Sequence, residues 1–346
     1  MASSQVDSIN AKKDGGIRHS GEKKPCPVHA PGSGDVKRGF RKSRNNDYVK
    51  ISMKEAEVNR LPAEWWKTLL LFFYITFSMV LTTVVITAVH EKVPPKEEIP
   101  PLPDTFFEYI DRVKWAFTVT EVNGIVLVTV WLLQLFFFQH KSIVLRRYFF
   151  IAGTLYLYRC VTIYITTLPV PGMHMNCAPK LYGDFYGKFW RVLNLISGAG
   201  MSMTNTTIMC GDFLYSGHTM VLTLTYLFIK EYSPRSFWWY HLMCWLLSAV
   251  GVVCILVARE HYSVDVVVAY YITTRLFWFY HSLTTQCQCS PNNYLTKTWW
   301  NPLFNFMERN VKKPVPREYG WPKSWAPACL KNPCKKYSMV QSTRDE

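Results

Sequence analysis

Between residues 61 and 283 the chain alternates apolar windows of roughly 20 residues, nearly free of charge, with short polar links. A helix of that length matches a hydrocarbon core of about 30 Å. The windows lie near 65–89, 118–138, 148–168, 213–229, 237–257 and 265–282, the fourth and sixth being short and reliant on polar ends. The expected fold class is therefore all-α, a polytopic membrane protein with six transmembrane helices. No apolar core flanked by a small-residue cleavage site precedes the first window, so no cleaved signal peptide is expected.

Charge orients the windows. The formal net charge is +15, which taken alone suggests nucleic acid. Its distribution points to a bilayer, and no nucleic-acid partner is expected. Residues 1–64 hold 13 Lys/Arg and residues 283–346 hold ten, and the links "QHKSIVLRR" and "KEYSPR" are basic too. Six spans put these four segments on one side, the cytosolic one by the positive-inside rule. The opposite segments, 90–117 and 169–212, hold four and three. Both termini are then cytosolic. Three parts follow: a basic tail over 1–60, expected to be disordered for want of large apolar residues; a six-helix transmembrane unit over 61–283; and a cytosolic tail over 284–346.

That topology sorts the cysteines. Cys177 and Cys210 share the second external loop and could form a disulfide on the oxidising side. Cys160, Cys244 and Cys254 read as packing residues inside spans. Cys287, Cys289, Cys329 and Cys334 are candidates for S-palmitoylation near the cytosolic face, with ordinary reduced thiols as the alternative. Asn205-Thr206-Thr207 is a glycosylation sequon on the external side. Arg159 and Arg275, placed near the middle of the third and sixth spans, should line polar cavities or serve function, because an unshielded charge costs about 2.5–3.5 kcal/mol there.

Three polar residues converge at one depth. In "CGDFLYSGHTM", His218 follows Asp212 by six residues, about 9 Å into the fourth span at 1.5 Å per residue. The fifth span returns outward and the sixth opens "HYSVDVVVAYY", with His261 and Asp265 at i and i+4 on one helix face. A carboxylate beside an imidazole fixes its tautomer and stabilises its charged form, which makes the other nitrogen a better nucleophile or base. A second imidazole can then protonate a departing alkoxide. Two such rings suit displacement at phosphorus through a phosphohistidine. Any one of these residues alone is more often a packing residue, and the set could also ligate a metal as a facial triad.

"SGH" and then "HxxxD", with 43 residues from histidine to histidine, is similar to the lipid phosphate phosphatase superfamily. The strings "PPLPD", "GTLYLYRCVTIYITTLPVPGMHMNCAPK", "CGDFLYSGHTMVLTLTYLFIKEYSPRSFWWYH" and "HYSVDVVVAYYITTRLFWFYH" resemble the motif blocks of sphingomyelin synthases, over roughly residues 60–340. The absence of a folded domain before the first span and the tail "CLKNPCKKYSMVQ" resemble the second, plasma-membrane type more than the Golgi type. The resemblance implies transfer of phosphocholine from phosphatidylcholine to ceramide, with release of diacylglycerol, at the lumenal or extracellular leaflet of plasma and Golgi membranes. It makes His218, His261 and Asp265 the catalytic set, with His261 as nucleophile and His218 as acid, and implies no cofactor and no metal. Glu260, Tyr215 and Tyr262 are the candidates for substrate contact, with Phe185 and Tyr186 as further aromatic candidates, aromatic faces being suited to the choline ammonium and interface-belt packing being the alternative role. The partners implied are membrane lipids, with self-association left open. The KxxxxxxRP motif of the phosphatases is missing, as is a serine–arginine arrangement before the second histidine. Phosphoethanolamine transfer and lipid phosphate hydrolysis are the alternatives, with a transporter or scaffold behind them.

Overall fold

The computed structural model describes residues 61–198, 209–286, 298–311 and 314–320. Among these lie nine helices: α1 (Trp65–His90), α2 (Thr105–Tyr109), α3 (Ala116–Phe137), α4 (Lys141–Ile165), α5 (Phe185–Ser197), α6 (Gly217–Tyr232), α7 (Trp238–Val257), α8 (Ser263–Gln286) and α9 (Asn301–Glu308). Phe138 and Tyr319 form an isolated antiparallel bridge. The all-α expectation holds. Four helices, α1, α3, α4 and α7, are long and apolar enough to cross a membrane. The basic tail over 1–60, Asn205 and the four palmitoylation candidates Cys287, Cys289, Cys329 and Cys334 lie outside the described residues.

Helix α6 is not among the four. It has 16 residues, a rise of about 24 Å, and its buried residues include Thr219, Thr223 and Thr225. Its position accounts for both properties. α6 touches α3, α4, α7 and α8, so its sides meet protein and need be neither long nor uniformly apolar. Around it α1 packs on α4 and α3 on α7. Polar side chains knit these pairs where no water competes: Tyr74 and Thr154 share a hydrogen bond of 3.1 Å, and Thr120 donates to the Gly251 carbonyl at 2.8 Å. Gly153 lets α1 approach closely, since a Cβ there would stand 2.6 Å from the Tyr74 ring.

Two boundaries differ from expectation. The link "QHKSIVLRR" is largely helix: α4 starts at Lys141 and carries Arg146 and Arg147 inside the bundle, both buried. Their partners come from distant segments. Arg146 donates to Glu64 at 3.2 Å, and Arg147 makes a two-pronged pair with Glu308 at 2.9 and 2.7 Å. The second difference concerns the chain after 283. α8 runs on to Gln286, and α9 returns to the bundle with Phe304 and Met307 buried. Tyr280 also donates to Glu308 at 2.8 Å. Burial raises the Glu308 carboxyl, but the Arg147 charge and the hydrogen bonds from Arg147 and Tyr280 outweigh it and hold the group below the ordinary carboxylate range. Arg317 donates to the Glu231 carbonyl at 2.8 Å and Tyr319 to the Tyr232 carbonyl at 2.7 Å, tying residues 314–320 to the end of α6.

Candidate active site

At the opposite end of the bundle, two helix starts meet. Ser216 caps α6 through its hydroxyl, which accepts from the Thr219 amide at 3.3 Å, and this sets His218 in the first turn. The chain leaves α7 at Val257, passes through Arg259 in the left-handed region (φ 57°), and enters α8 at Ser263. The reversal is tight enough to leave His261 beside the first turn of α8.

His261 and Asp265 are in contact. Nδ1 of His261 lies 3.3 Å from Oδ2 of Asp265, and that oxygen also accepts from the Tyr262 amide at 3.1 Å. Both side chains are buried. With Nδ1–H directed at the carboxylate, Nε2 carries the free lone pair. On the facing helix, Nε2 of His218 stands 3.9 Å from the buried Glu121 of α3, and the ring meets the Phe117 edge with centroids 5.3 Å apart. His218 lies within electrostatic reach of both His261 and Arg159.

Arg159 has the partner that its sequence position left open. It sits well past the midpoint of α4, and its guanidinium hydrogen-bonds both carboxylate oxygens of Asp212. It also donates through Nε to the Tyr215 carbonyl at 3.1 Å. A Cβ at Gly217 would come within 3.0 Å of this guanidinium, so glycine beside His218 is what admits the cation. Asp212 is in turn within electrostatic reach of His261 and Asp265. Arg275 differs: exposed on α8, it lies over the Tyr271 ring at 5.2 Å.

The "PPLPD" stretch anchors the turn from outside. Asp104 accepts from the Ser263 amide at 2.7 Å and the Ser263 hydroxyl at 2.9 Å, while capping α2 through the Phe106 amide at 3.0 Å. The Tyr262 hydroxyl accepts from the Leu102 amide at 3.1 Å and donates to the carbonyls of Pro169 and Val170, each at 3.2 Å. Tyr262 and Tyr215 are both buried and packed against protein, which gives them positioning work rather than an open aromatic face. Glu260 faces His174 at 3.4 Å and Arg112 at 3.8 Å. Burial and the Arg112 charge hold His174 below its ordinary value against the pull of Glu260, so at neutral pH His174 meets Glu260 as an uncharged imidazole. An opening of about 430 Å³ lies beside this cluster, bounded by Asp104, Phe107, Glu108, Arg112, His174 and Arg259.

Cys177 and Cys210 are joined in a disulfide with Cα atoms 5.5 Å apart, two residues before Asp212. Among the described residues no group of three or more His, Cys, Asp or Glu side chains is arranged to hold a metal ion. Spacing alone did not single out Glu121, Asp104 or the Arg159–Asp212 pair. Only the ionisable residues within apolar windows, Arg159 and Glu121, carried a signal.

The arrangement is two histidines, each facing a carboxylate, beside one clamped arginine. Such a set can supply a nucleophile, an acid–base group and a fixed positive charge, the parts that displacement at a phosphorus atom requires. Residues 209–282, which hold His218, His261 and Asp265, match the family model described as PAP2 superfamily C-terminal. The whole chain resembles curated proteins over most of its length. It is 60% identical over 313 residues to phosphatidylcholine:ceramide cholinephosphotransferase 2 of Rattus norvegicus, covering 89% of this chain and 86% of that one. The Homo sapiens protein of the same name is 59% identical over the same coverage, and phosphatidylcholine:ceramide cholinephosphotransferase 1 of Homo sapiens is 55% identical over 88% of this chain and 74% of that one. Identity of this depth over 89% of the chain shows that it belongs to the phosphatidylcholine:ceramide cholinephosphotransferase family.

Proposed function

We propose that the protein is a sphingomyelin synthase, moving phosphocholine from phosphatidylcholine to the primary hydroxyl of ceramide and releasing diacylglycerol. The observation that carries the reading is the contact of His261 with Asp265, with His218 in electrostatic reach of His261 and of Arg159. Nε2 of His261 attacks phosphorus, and the bond from phosphorus to the glycerol oxygen breaks. His218 gives its proton to that oxygen, and Asp265 stabilises the positive charge developing on the His261 ring. The ceramide hydroxyl then attacks the phosphohistidine, passes its proton to His218, and the phosphorus–nitrogen bond breaks to restore His261. Arg159, held by Asp212, faces the negative charge that builds on the phosphoryl oxygens.

The lipids' polar groups lie at a membrane boundary, so the helices are read as six spans, α1, α3, α4, α6, α7 and α8, with both termini cytosolic and the site toward the lumenal or extracellular leaflet. The four long apolar helices and the charge asymmetry of the links support that topology. Residence in plasma and Golgi membranes and acylation at Cys287, Cys289, Cys329 and Cys334 belong to the same proposal.

The test is purified protein in liposomes with labelled ceramide and either phosphatidylcholine or phosphatidylethanolamine. Labelled sphingomyelin from the wild type and none from His261→Ala is expected. Ceramide phosphoethanolamine as the main product would reassign the head group. Phosphate release from a lipid monoester, with no ceramide product, would replace transfer by hydrolysis.

A further inference from the structure

Helix α5 (Phe185–Ser197) is built the wrong way round for water. Among its large apolar side chains Phe185 is 82% exposed and Tyr186 69%, and Phe189, Trp190, Leu193 and Ile196 are exposed beside them. Its two basic residues, Lys188 and Arg191, are partly buried, as are Gly187, Val192 and Leu195 on the same side. Arg191 reaches inward, donating to the Pro179 carbonyl at 2.7 Å and pairing with Glu91 at 3.5 Å, next to the last residue of α1. A helix at a protein–water boundary turns its apolar stripe to the core and its charges outward. Here the order is inverted, so the medium outside α5 is apolar.

We propose that α5 lies in the outer leaflet of the bilayer, its aromatic face immersed among phospholipid acyl chains. This rests on the proposed membrane topology and not on the phosphotransfer chemistry. The occupant follows from continuity. α5 packs on α1, which is a membrane-length helix whose own outward side chains are apolar. At the same end Val161, Tyr164 and Ile165 of α4, the other helix packed on α1, are exposed as well, and Lys92 lies over the Tyr164 ring at 4.8 Å. An apolar surface thus runs from the α1/α4 pair onto α5, with tyrosine, tryptophan and lysine at the level where interfacial side chains collect. Asp184 caps the helix start by accepting from the Gly187 amide at 3.1 Å, which satisfies one of the backbone donors at that end. The loop bearing α5 is also the loop closed by Cys177–Cys210 and ending at Asp212. Immersion of α5 therefore fastens the catalytic loop to the leaflet that supplies its substrate.

The test incorporates benzoylphenylalanine in place of Phe189, Leu193 or, as the inward control, Lys188, one at a time in the full chain. Each protein is reconstituted in phosphatidylcholine vesicles containing an alkyne-tagged phosphatidylcholine and irradiated. Lipid adducts several-fold more abundant at 189 and 193 than at 188 are expected. Equal labelling at all three positions overturns the proposal, as does an absence of lipid adducts at 189 and 193. Covalent dimers in place of lipid adducts overturn it too, in favour of a second copy as the occupant. None of these outcomes depends on ceramide turnover, so failure here is distinguishable from failure of the transferase reading.

Discussion

Replacing Asp265 by Asn removes one negative charge and little else. The side chain is fully buried, and its Oδ2 accepts from both His261 Nδ1 and the Tyr262 amide. An amide oxygen in that place keeps both hydrogen bonds, while the amide nitrogen occupies the position of Oδ1, which has no hydrogen-bond partner. What is lost is the attraction between the carboxylate and the charge that forms on His261 as Nε2 bonds to phosphorus. Opposite unit charges at the observed 3.3 Å attract by about 5 kcal/mol at an effective dielectric of about 20. With each 1.36 kcal/mol worth about tenfold, kcat should fall by about 10³- to 10⁴-fold. The loss should appear in the first half-reaction, read as diacylglycerol formation from phosphatidylcholine without ceramide, and again in sphingomyelin formation. KM for either lipid should change little, because the charge develops only in the transition state. A variant that keeps more than about a tenth of wild-type kcat with its melting temperature unchanged would refute the role of Asp265 in charging the His261 ring.

Gly217→Ala should push the Arg159 guanidinium away from a Cβ that would stand 3.0 Å from it, while Asp212 resists the shift. A displacement of a few tenths of an ångström should cost about tenfold in kcat in the same liposome assay, with the melting temperature nearly unchanged. Asp104→Ala removes three acceptor contacts at the starts of α2 and α8. It should lower stability by about 2–3 kcal/mol and reduce kcat more than KM, whereas Glu108→Gln nearby should do neither. Glu308→Gln leaves the buried Arg147 without its counter-charge, and about 3–5 kcal/mol of stability should be lost in denaturant titrations. Because folding depresses the Glu308 carboxyl below its ordinary 4.5, the wild-type pair contributes fully above that pH. Its contribution should be lost as pH falls through the lower folded value, so melting temperatures of wild type and Glu308→Gln should converge in acid.

Much of this architecture is legible in the residue order because membranes impose long apolar runs and chemistry imposes short spacings. The six windows each correspond to a helix, and "HxxxD" closes into the His261–Asp265 contact through local geometry alone. Pairs brought together by tertiary packing have no such signature. Arg159 meets Asp212 across 53 residues and Arg147 meets Glu308 across 161. No periodicity links either pair. α4 began earlier than hydropathy suggested because Arg146 and Arg147 find carboxylates, which makes buried charge tolerable at the helix start. α9 escaped notice because eight residues with Phe304 and Met307 on one face look like an ordinary tail until the bundle supplies a surface.

The family model's match to residues 209–282 encloses both histidines and Asp265. Arg159 and Glu121 lie upstream of that stretch, on α4 and α3, and Asp104 lies before α3. The reactive assembly is therefore not portable as a cassette. A chimera that grafted the matched stretch onto a foreign pair of leading helices would inherit both histidines without the guanidinium that Asp212 clamps in this chain. Changes in substrate preference should accordingly be sought by exchanging the two halves together.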